Sequence, residues 1–236
     1  MKALIFAAGL GTRLKPFTDI HPKALALVNG KTLLQRNIEY LKAAGIHEMV
    51  INIHHFGNQI VDFLQQHANF GCRIEISDET DEVLETGGGL LKARPFLEGD
   101  DFVVLNVDIL TQMDLTQMLA FHQTHLPLVT LAVSDRDSSR KLMFDHNMRL
   151  CGWKNFATGE EIITQTQVYK VSAFSGIHIM RKDIFDYIEE RGKFSIMKSY
   201  MRLMSGQILL GYDHSGDILI DVGKPEAIAQ AEVFFK

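Results

Sequence analysis

Short apolar runs alternate with segments of helical spacing through the first half of the chain, and this alternation constrains the fold most strongly. The runs cover residues 2–8, 48–53, 72–77 and 102–107. Between the first two runs, Leu34, Ile38 and Leu41 recur at helical intervals, and Gly45 supplies a stop. Strands that are mostly apolar belong in the middle of a sheet that helices cover on both faces. The pattern therefore predicts a three-layer α/β domain around a mixed, mainly parallel central sheet.

The second half of the chain follows a less regular pattern. No internal repeat, low-complexity tract or flexible linker separates it from the first half, so we predict one domain over residues 1–236. In such sheets ligands bind beyond the carboxyl ends of the parallel strands, which makes the segments after residues 8 and 107 the candidate binding loops. The predicted helices are 114–125, 183–190, 195–204 and 224–235, and the predicted strands are 128–134, 173–180, 207–212 and 217–220, with two short strands within 140–153.

Charge and composition exclude several classes of function. The chain has 24 Lys and Arg against 29 Asp and Glu, so it lacks the basic excess typical of a nucleic-acid-binding protein. No stretch approaches the length of a membrane span, and the N-terminus lacks the pattern of a signal peptide, so we expect a cytoplasmic protein without a membrane partner. Cys72 and Cys151 lack metal-binding spacing, which argues against a zinc site or a disulfide framework.

A glycine-rich segment follows the first predicted strand. It reads Ala7-Ala8-Gly9-Leu10-Gly11-Thr12-Arg13, with Pro22-Lys23 further on. Glycines let the backbone approach a phosphate closely and direct several N–H groups at one anion. Because Arg13 and Lys23 add positive charge beside these glycines, the segment predicts a polyphosphate site.

Two common phosphate-binding signatures fit this segment poorly. The dinucleotide fingerprint requires a third glycine where this chain has Leu14. The P-loop signature ends correctly at Gly30-Lys31-Thr32, but its first glycine would have to stand at Leu25. An Asn29-Gly30 turn explains that second segment more simply.

The glycine-rich segment instead resembles the signature of sugar-1-phosphate nucleotidyltransferases, A-A-G-x-G-[ST]-R followed by P-K. The likeness covers nearly the whole chain and is greatest to bacterial N-acetylmuramate-1-phosphate uridylyltransferases and to mannose- or heptose-1-phosphate nucleotidyltransferases. Two positions depart from the family pattern: Val107 replaces a glycine and Lys224 replaces a threonine. The further matching segments are Leu84-Glu85-Thr86-Gly87-Gly88-Gly89, the strand ending Asn106-Val107-Asp108, Phe174-Ser175-Gly176-Ile177 and Asp221-Val222-Gly223-Lys224-Pro225.

The resemblance implies a Rossmann-like nucleotide-diphospho-sugar transferase fold and a specific reaction. A nucleoside triphosphate and a sugar 1-phosphate would give a nucleotide sugar and pyrophosphate. Residues 1–110 would form the nucleotide-binding half and residues 111–236 the sugar-binding half. We expect a monomer or a small homo-oligomer. Neither the base nor the sugar follows from the sequence.

The resemblance also assigns residues to the nucleotide and to the metal. Arg13, Lys23 and Asp108 are expected to be catalytic, and Asp108 and Asp221 to hold Mg²⁺, since this ion prefers carboxylate and phosphate oxygens. Both aspartates also suit the alternative role of capping the helix that follows. The expected nucleotide-binding residues are Ala8, Gly9, Gly11, Thr12, Arg13, Lys23, Gly88 and Asn106.

The sugar-side residues and two other functions complete the expectations. Lys154, Glu160, Ser175 and Gly176 are the expected sugar-binding residues. A non-catalytic nucleotide-sugar sensor on the same fold is one alternative, favoured only by Val107. A metal-dependent glycosyltransferase is another, although such enzymes usually carry D-x-D where this chain has Asn106-Val107-Asp108.

Overall fold

The computed structural model describes residues 1–164 and 167–236 and shows strands and helices in alternation. The strands are β1 (Lys2–Phe6), β2 (Leu27–Val28), β3 (Lys31–Thr32), β4 (Glu48–Ile53), β5 (Arg73–Asp78), β6 (Phe102–Asn106), β7 (Ile109–Thr111), β8 (Val129–Ser134), β9 (Arg140–Phe144), β10 (Leu150–Asn155), β11 (Glu161–Ile163), β12 (Lys170–Met180), β13 (Leu209–Asp213) and β14 (Leu219–Asp221). The α-helices are α1 (Leu33–Ala43), α2 (Gly57–Gln66), α3 (Glu85–Leu97), α4 (Leu115–His125), α5 (Ile196–Leu203) and α6 (Pro225–Phe234).

Four parallel strands from the first half of the chain form one part of the sheet in the order β5-β4-β1-β6. The chain moves outward from β1 in one direction to reach β4 and β5, and then returns to place β6 on the other side of β1. Phe6 pairs with Asn106 at the ends of these two strands. The carboxyl ends of β1 and β6 therefore meet at a topological switch point, where open α/β sheets bind their ligands.

The same sheet continues into the second half of the chain. Strand β12 runs antiparallel to β6, β8 and β9, while β13 runs parallel to β8. A separate two-stranded ribbon of β7 and β14 lies beside this sheet and sets Asp221 opposite Ile109. The predicted single α/β domain with a mixed central sheet is confirmed, and one sheet serves both halves.

Helices cover the sheet on both faces because alternate side chains of each central strand point in opposite directions. In β1, Ala3 and Ile5 pack into the cluster that includes residues of α1, α2, α4 and α6. Leu4, between them, packs into the cluster that includes residues of α3 and α5. All three side chains are fully buried. The apolar runs in the sequence thus mark strands that have a core on each side.

Most predicted elements are present within a few residues of the expected bounds, and one helix is wrong. The segment predicted as a helix over 183–190 forms only a 3₁₀ turn at Lys182–Asp186. The carboxylate of Glu190 instead accepts hydrogen bonds from Ser199 and Arg202 of the region around α5. These bonds hold the end of the segment against α5.

Candidate active site

A cleft of about 320 Å³ opens at the switch point between β1 and β6. Its walls come from the glycine-rich segment, the ends of β4 and β6, the segment that joins β5 to α3, and Gly223. Eight of the predicted site residues line it: Ala8, Gly9, Gly11, Thr12, Arg13, Lys23, Asn106 and Asp108.

Gly11 fixes the shape of the glycine-rich segment. It has φ +61°, and a Cβ there would lie 2.9 Å from Cβ of Lys23 and 2.9 Å from Cγ2 of Thr18. The hydroxyl of Thr18 also donates to the carbonyl of Gly11 over 2.9 Å. Only glycine suits this position, because it accepts the left-handed conformation and lets Lys23 pass close to the backbone.

Lys23 forms an ion pair with Asp108 across the cleft. The lysine is 8% exposed although it carries a charge, and it stays buried because it has this acidic partner. Lys23 follows Pro22 in a 3₁₀ turn, whereas Asp108 follows the carboxyl end of β6. The predicted proximity of the two side chains is thus present.

Asp221 and Arg13 meet beside this ion pair. The backbone N–H of Val222 donates to the carbonyl of Asp108 over 2.8 Å, so the two acidic positions are neighbours. A Cβ on Gly223 would lie 2.6 Å from an Arg13 guanidinium nitrogen and 2.8 Å from Oδ1 of Asp221. The absence of a side chain at Gly223 therefore allows the cation and the carboxylate to approach the same point.

Asp221 has a buried carboxylate oxygen, Oδ1, with no hydrogen-bond partner in the described chain. An unpaired buried acidic oxygen is costly unless a cation or donor binds it. No cluster of three or more His, Cys, Asp or Glu residues suited to a metal occurs within residues 1–164 and 167–236. Two carboxylates completed by substrate phosphates are, however, the usual environment of Mg²⁺, so Asp108 and Asp221 fit this ion.

A buried network that the sequence analysis missed forms the floor of the cleft. Oδ1 of Asn52 accepts the backbone N–H groups of Ala7 at 2.6 Å and Ala8 at 3.2 Å. Nδ2 of Asn52 donates to Glu79 over 2.7 Å, and the other Glu79 oxygen accepts the N–H of Leu84 over 3.1 Å. Asn52 is 2% exposed and Glu79 is 1% exposed. The amide of Ala8 is therefore already engaged, and the network joins the glycine-rich segment to the start of α3.

The expected role of Gly88 is not supported, because this residue lies outside the cleft. A Cβ on Gly88 would lie 2.3 Å from the carbonyl oxygen of Gly192, and its N–H donates to the carbonyl of Phe194. The space beside Gly88 is thus filled by the chain itself. Glu85 and Thr86, at the start of the same helix, line the cleft instead.

The sugar-side predictions have mixed outcomes. Gly176 has φ +77°, and a Cβ there would lie 3.0 Å from the Asn106 side-chain nitrogen, so this glycine adjoins the end of β6. The Ser175 side chain is fully buried and contacts His214 over 2.7 Å, so its hydroxyl does not line the cleft. Lys154 pairs with Glu161 on β11, and neither Lys154 nor Glu160 lines the cleft.

A second missed residue supports the end of β6, directly before Asp108. Nδ2 of Asn37, on α1, donates to the carbonyl of Val107 over 2.9 Å. Asn37 is 3% exposed and occupies a position that would otherwise belong to the apolar face of its helix. A polar residue on that face was the available signal in the sequence, because buried amides require a partner.

Comparison with known proteins decides the family. The profile of the nucleotidyl transferase family matches residues 2–142. The chain is 34% identical to N-acetylmuramate alpha-1-phosphate uridylyltransferase of Neisseria meningitidis serogroup B, over 98% of this chain and 97% of that one. It is 31% identical to mannose-1-phosphate guanylyltransferase 1 of Arabidopsis thaliana, over 95% of this chain and 62% of the relative.

The chain belongs to the nucleotidyl transferase family. It is therefore a nucleotidyltransferase, and the expected enzyme class is confirmed. Solved structures confirm the fold. HddC from Yersinia pseudotuberculosis complexed with GMP-PN superposes with a TM-score of 0.79 at 22% identity, over 100% of this chain and 99% of that one. UDP-glucose pyrophosphorylase complexed with UDP-glucose gives 0.79 at 19% identity, over 98% and 97%. No helix in the described part of the chain has the length and apolar character needed to cross a membrane.

Proposed function

We propose that this nucleotidyltransferase joins a nucleoside triphosphate to a sugar 1-phosphate and releases pyrophosphate. One observation carries the proposal: Arg13, Lys23 and Asp108 line one cleft at the switch point of the sheet, and Asp221 adjoins that cleft at Gly223. Two polyanionic substrates require local positive charge, because the chain as a whole carries a net charge of -5. The named relatives act on sugar 1-phosphates, which supports the same reaction here.

The side chains of the cleft suit the chemistry of this reaction. An oxygen of the sugar phosphate attacks the α-phosphorus, a new P–O bond forms, and the bond to pyrophosphate breaks. The attacking oxygen is already an anion, so positioning and charge stabilisation carry the catalysis and no general base is required. Arg13 would bind the departing pyrophosphate, and Lys23 would stabilise the charge that builds around the α-phosphate.

We also propose that Asp108 and Asp221 hold Mg²⁺. When bound, this ion neutralises phosphate charge and orients the oxygens of the substrates. The unpaired Oδ1 of Asp221 supports this assignment, as does the position of Asp108 directly after β6. The ion pair between Lys23 and Asp108 keeps the aspartate pointed into the cleft.

The choice of substrates to test follows from the relatives. One is named for N-acetylmuramate 1-phosphate and uridylyl transfer, and another for mannose 1-phosphate and guanylyl transfer. UTP and GTP are therefore the first triphosphates to try, followed by CTP and dTTP. We further propose that the enzyme works in the cytoplasm.

A turnover screen tests the proposed reaction. Four triphosphates are crossed with a panel of sugar 1-phosphates in the presence of Mg²⁺, and pyrophosphate and nucleotide sugar are measured. We expect pyrophosphate only when triphosphate, sugar phosphate and metal are all present. Asp108→Ala is expected to abolish turnover without loss of the folded state, as judged by circular dichroism. Nucleotide binding without product across the whole panel would contradict the proposal and favour a sensor.

A further inference from the structure

A bulge in β12 lies beside the end of β6 and contains Ser175 and Gly176, two of the expected sugar-binding residues. Phe174 pairs with Val133 of β8, whereas His178 pairs with Leu131, so four steps along β12 match two steps along β8. Residues 175–177 thus lie opposite the single residue Ala132, and Gly176 among them has φ +77° beside the side chain of Asn106. Bulges often occur next to active sites, where they redirect the chain toward a ligand.

Two buried side chains hold this bulge from the opposite side. Nε2 of His214 lies 2.7 Å from the hydroxyl of Ser175, and the hydroxyl of Ser134 lies 3.4 Å from it. Ser175 is fully buried, and Ser134 and His214 are each 4% exposed. Ser134 ends β8 and His214 follows β13. Both residues therefore lie at the carboxyl ends of their strands, on the side of the sheet where the cleft opens.

The bulge is restrained at its beginning as well. A guanidinium nitrogen of Arg136 donates to the carbonyl of Phe174 over 2.8 Å. Asp217 lies 3.7 Å from Nδ1 of His214 and is the acidic group nearest that nitrogen. A bulge leaves backbone groups unpaired in the sheet, so side chains of this kind decide where those groups point.

We propose that His214 and Ser134 are positioning residues that hold the β12 bulge and so shape the sugar phosphate subsite. This inference rests on the proposed function and deepens it, because neither residue lines the cleft. The hydroxyl of Ser175 makes the contacts that hold the bulge in place. The backbone around Gly176 is the part that faces the sugar phosphate. Loss of the His214 contact therefore weakens binding of the sugar phosphate and leaves the nucleotide side intact.

The chain supplies a matched control at the other end of the sheet. His122 lies 2.7 Å from the hydroxyl of Thr130, and its second ring nitrogen lies 3.7 Å from Asp101. This trio has the same chemistry as His214, Ser175 and Asp217, but the ring nitrogens are exchanged: Nδ1 of His122 faces the hydroxyl and Nε2 faces the carboxylate. The His122 side chain is 1% exposed. Asp101 directly precedes β6, so the trio lies at the amino end of this strand, away from the cleft.

The test compares His214→Gln with His214→Asn. Glutamine places its amide near Nε2 and keeps the contact with Ser175, whereas asparagine places it near Nδ1 and loses that contact. We expect His214→Asn to raise KM for the sugar phosphate about tenfold, and His214→Gln about twofold or less, because one hydrogen bond and the order it imposes are lost. KM for the triphosphate stays within about twofold of wild type in both variants. His122→Gln, which places its amide near Nε2 and so loses the contact with Thr130, is expected to lower Tm without changing either KM.

Hydrogen exchange provides a readout that does not depend on turnover. The amides of residues 173–178 are expected to exchange faster in His214→Asn than in His214→Gln or His122→Gln. Equal exchange at the bulge in all three variants would overturn the positioning role, whatever the enzyme does. Faster exchange with both KM values unchanged would refute the link to the sugar phosphate. Absence of wild-type turnover would refute the proposed reaction and leave the exchange result to decide the positioning role.

Discussion

The Asn52–Glu79 pair allows a prediction in which two harmful substitutions correct each other. Oδ1 of Asn52 accepts two backbone N–H groups, and Nδ2 donates to Glu79 over 2.7 Å. Glu79 also accepts the N–H of Leu84. Asn52→Asp sets two buried carboxylates against each other, and Glu79→Gln leaves a donor facing another donor. In Asn52→Asp/Glu79→Gln every donor again has an acceptor, because the carboxylate and the amide have exchanged places.

The sizes of these effects follow from the burial of the pair. Leaving a buried polar group unpaired costs about 1–3 kcal/mol, and more when the group is charged. We therefore expect Glu79→Gln to lower the free energy of unfolding by about 1–3 kcal/mol and Asn52→Asp by about 3–4 kcal/mol. The double variant should lie within about 1 kcal/mol of wild type, which gives a coupling energy of several kcal/mol.

Urea unfolding of the four proteins measures this coupling, and triphosphate KM measures its effect on the cleft. Each single variant is expected to raise KM for the triphosphate, because the network sets the turn that follows β1, and the double variant should restore it. Gly89 restricts any rearrangement, since a Cβ there would lie 2.6 Å from Glu79. Additive losses, with the double variant less stable than either single variant, would refute the reasoning.

Two further predictions concern glycines and pH. Gly9→Ala should leave the free energy of unfolding unchanged and raise KM for the triphosphate, because the residue lines the cleft and, within the described residues, nothing beyond its chain neighbours lies within 4 Å of its Cβ position. Gly88→Ala should lower the free energy of unfolding by about 2–3 kcal/mol, because its Cβ would meet the Gly192 carbonyl at 2.3 Å. Burial lowers the pKa of His178 to about 3. In the unfolded chain this histidine binds a proton below about pH 6.5, whereas in the folded protein it stays neutral, so stability is lost as pH falls through that value. Between pH 7.5 and pH 5 wild type should lose about 2 kcal/mol more than His178→Gln in urea unfolding; an equal loss would contradict the linkage.

The sequence predicted those elements of the fold whose residue pattern has a single physical explanation. Apolar strands such as 102–106 require a core on each side, and Gly45, with φ +79°, ends α1 as expected. Lys23 and Asp108 were also identified from the sequence, because the segments that carry them match the family's signature, and the structure pairs the two side chains in the cleft. The place of a residue at the end of a strand or helix depends on its neighbours in the sequence, so it can be predicted from the sequence.

The parts that the sequence analysis missed depend on contacts between distant segments. Asn52 and Glu79 are 27 residues apart, and Asn37 reaches Val107 across 70 residues, so no local pattern links them. The prediction for Gly88 differs from the structure for another reason. A glycine admits a close neighbour, and the sequence does not say whether that neighbour is a ligand or, as here, the carbonyl of Gly192.

Oxygen-18 tracing tests the central claim that both substrates react within this one cleft. The sugar 1-phosphate is labelled on its phosphate oxygens and incubated with the triphosphate, Mg²⁺ and either wild type or Asp221→Asn. We expect wild type to retain the whole label in the nucleotide sugar and to release unlabelled pyrophosphate, since the sugar phosphate oxygen attacks the α-phosphorus. The Asp221→Asn variant should form at most a small fraction of this product. Label in the pyrophosphate, or full product formation by the variant, would contradict the account.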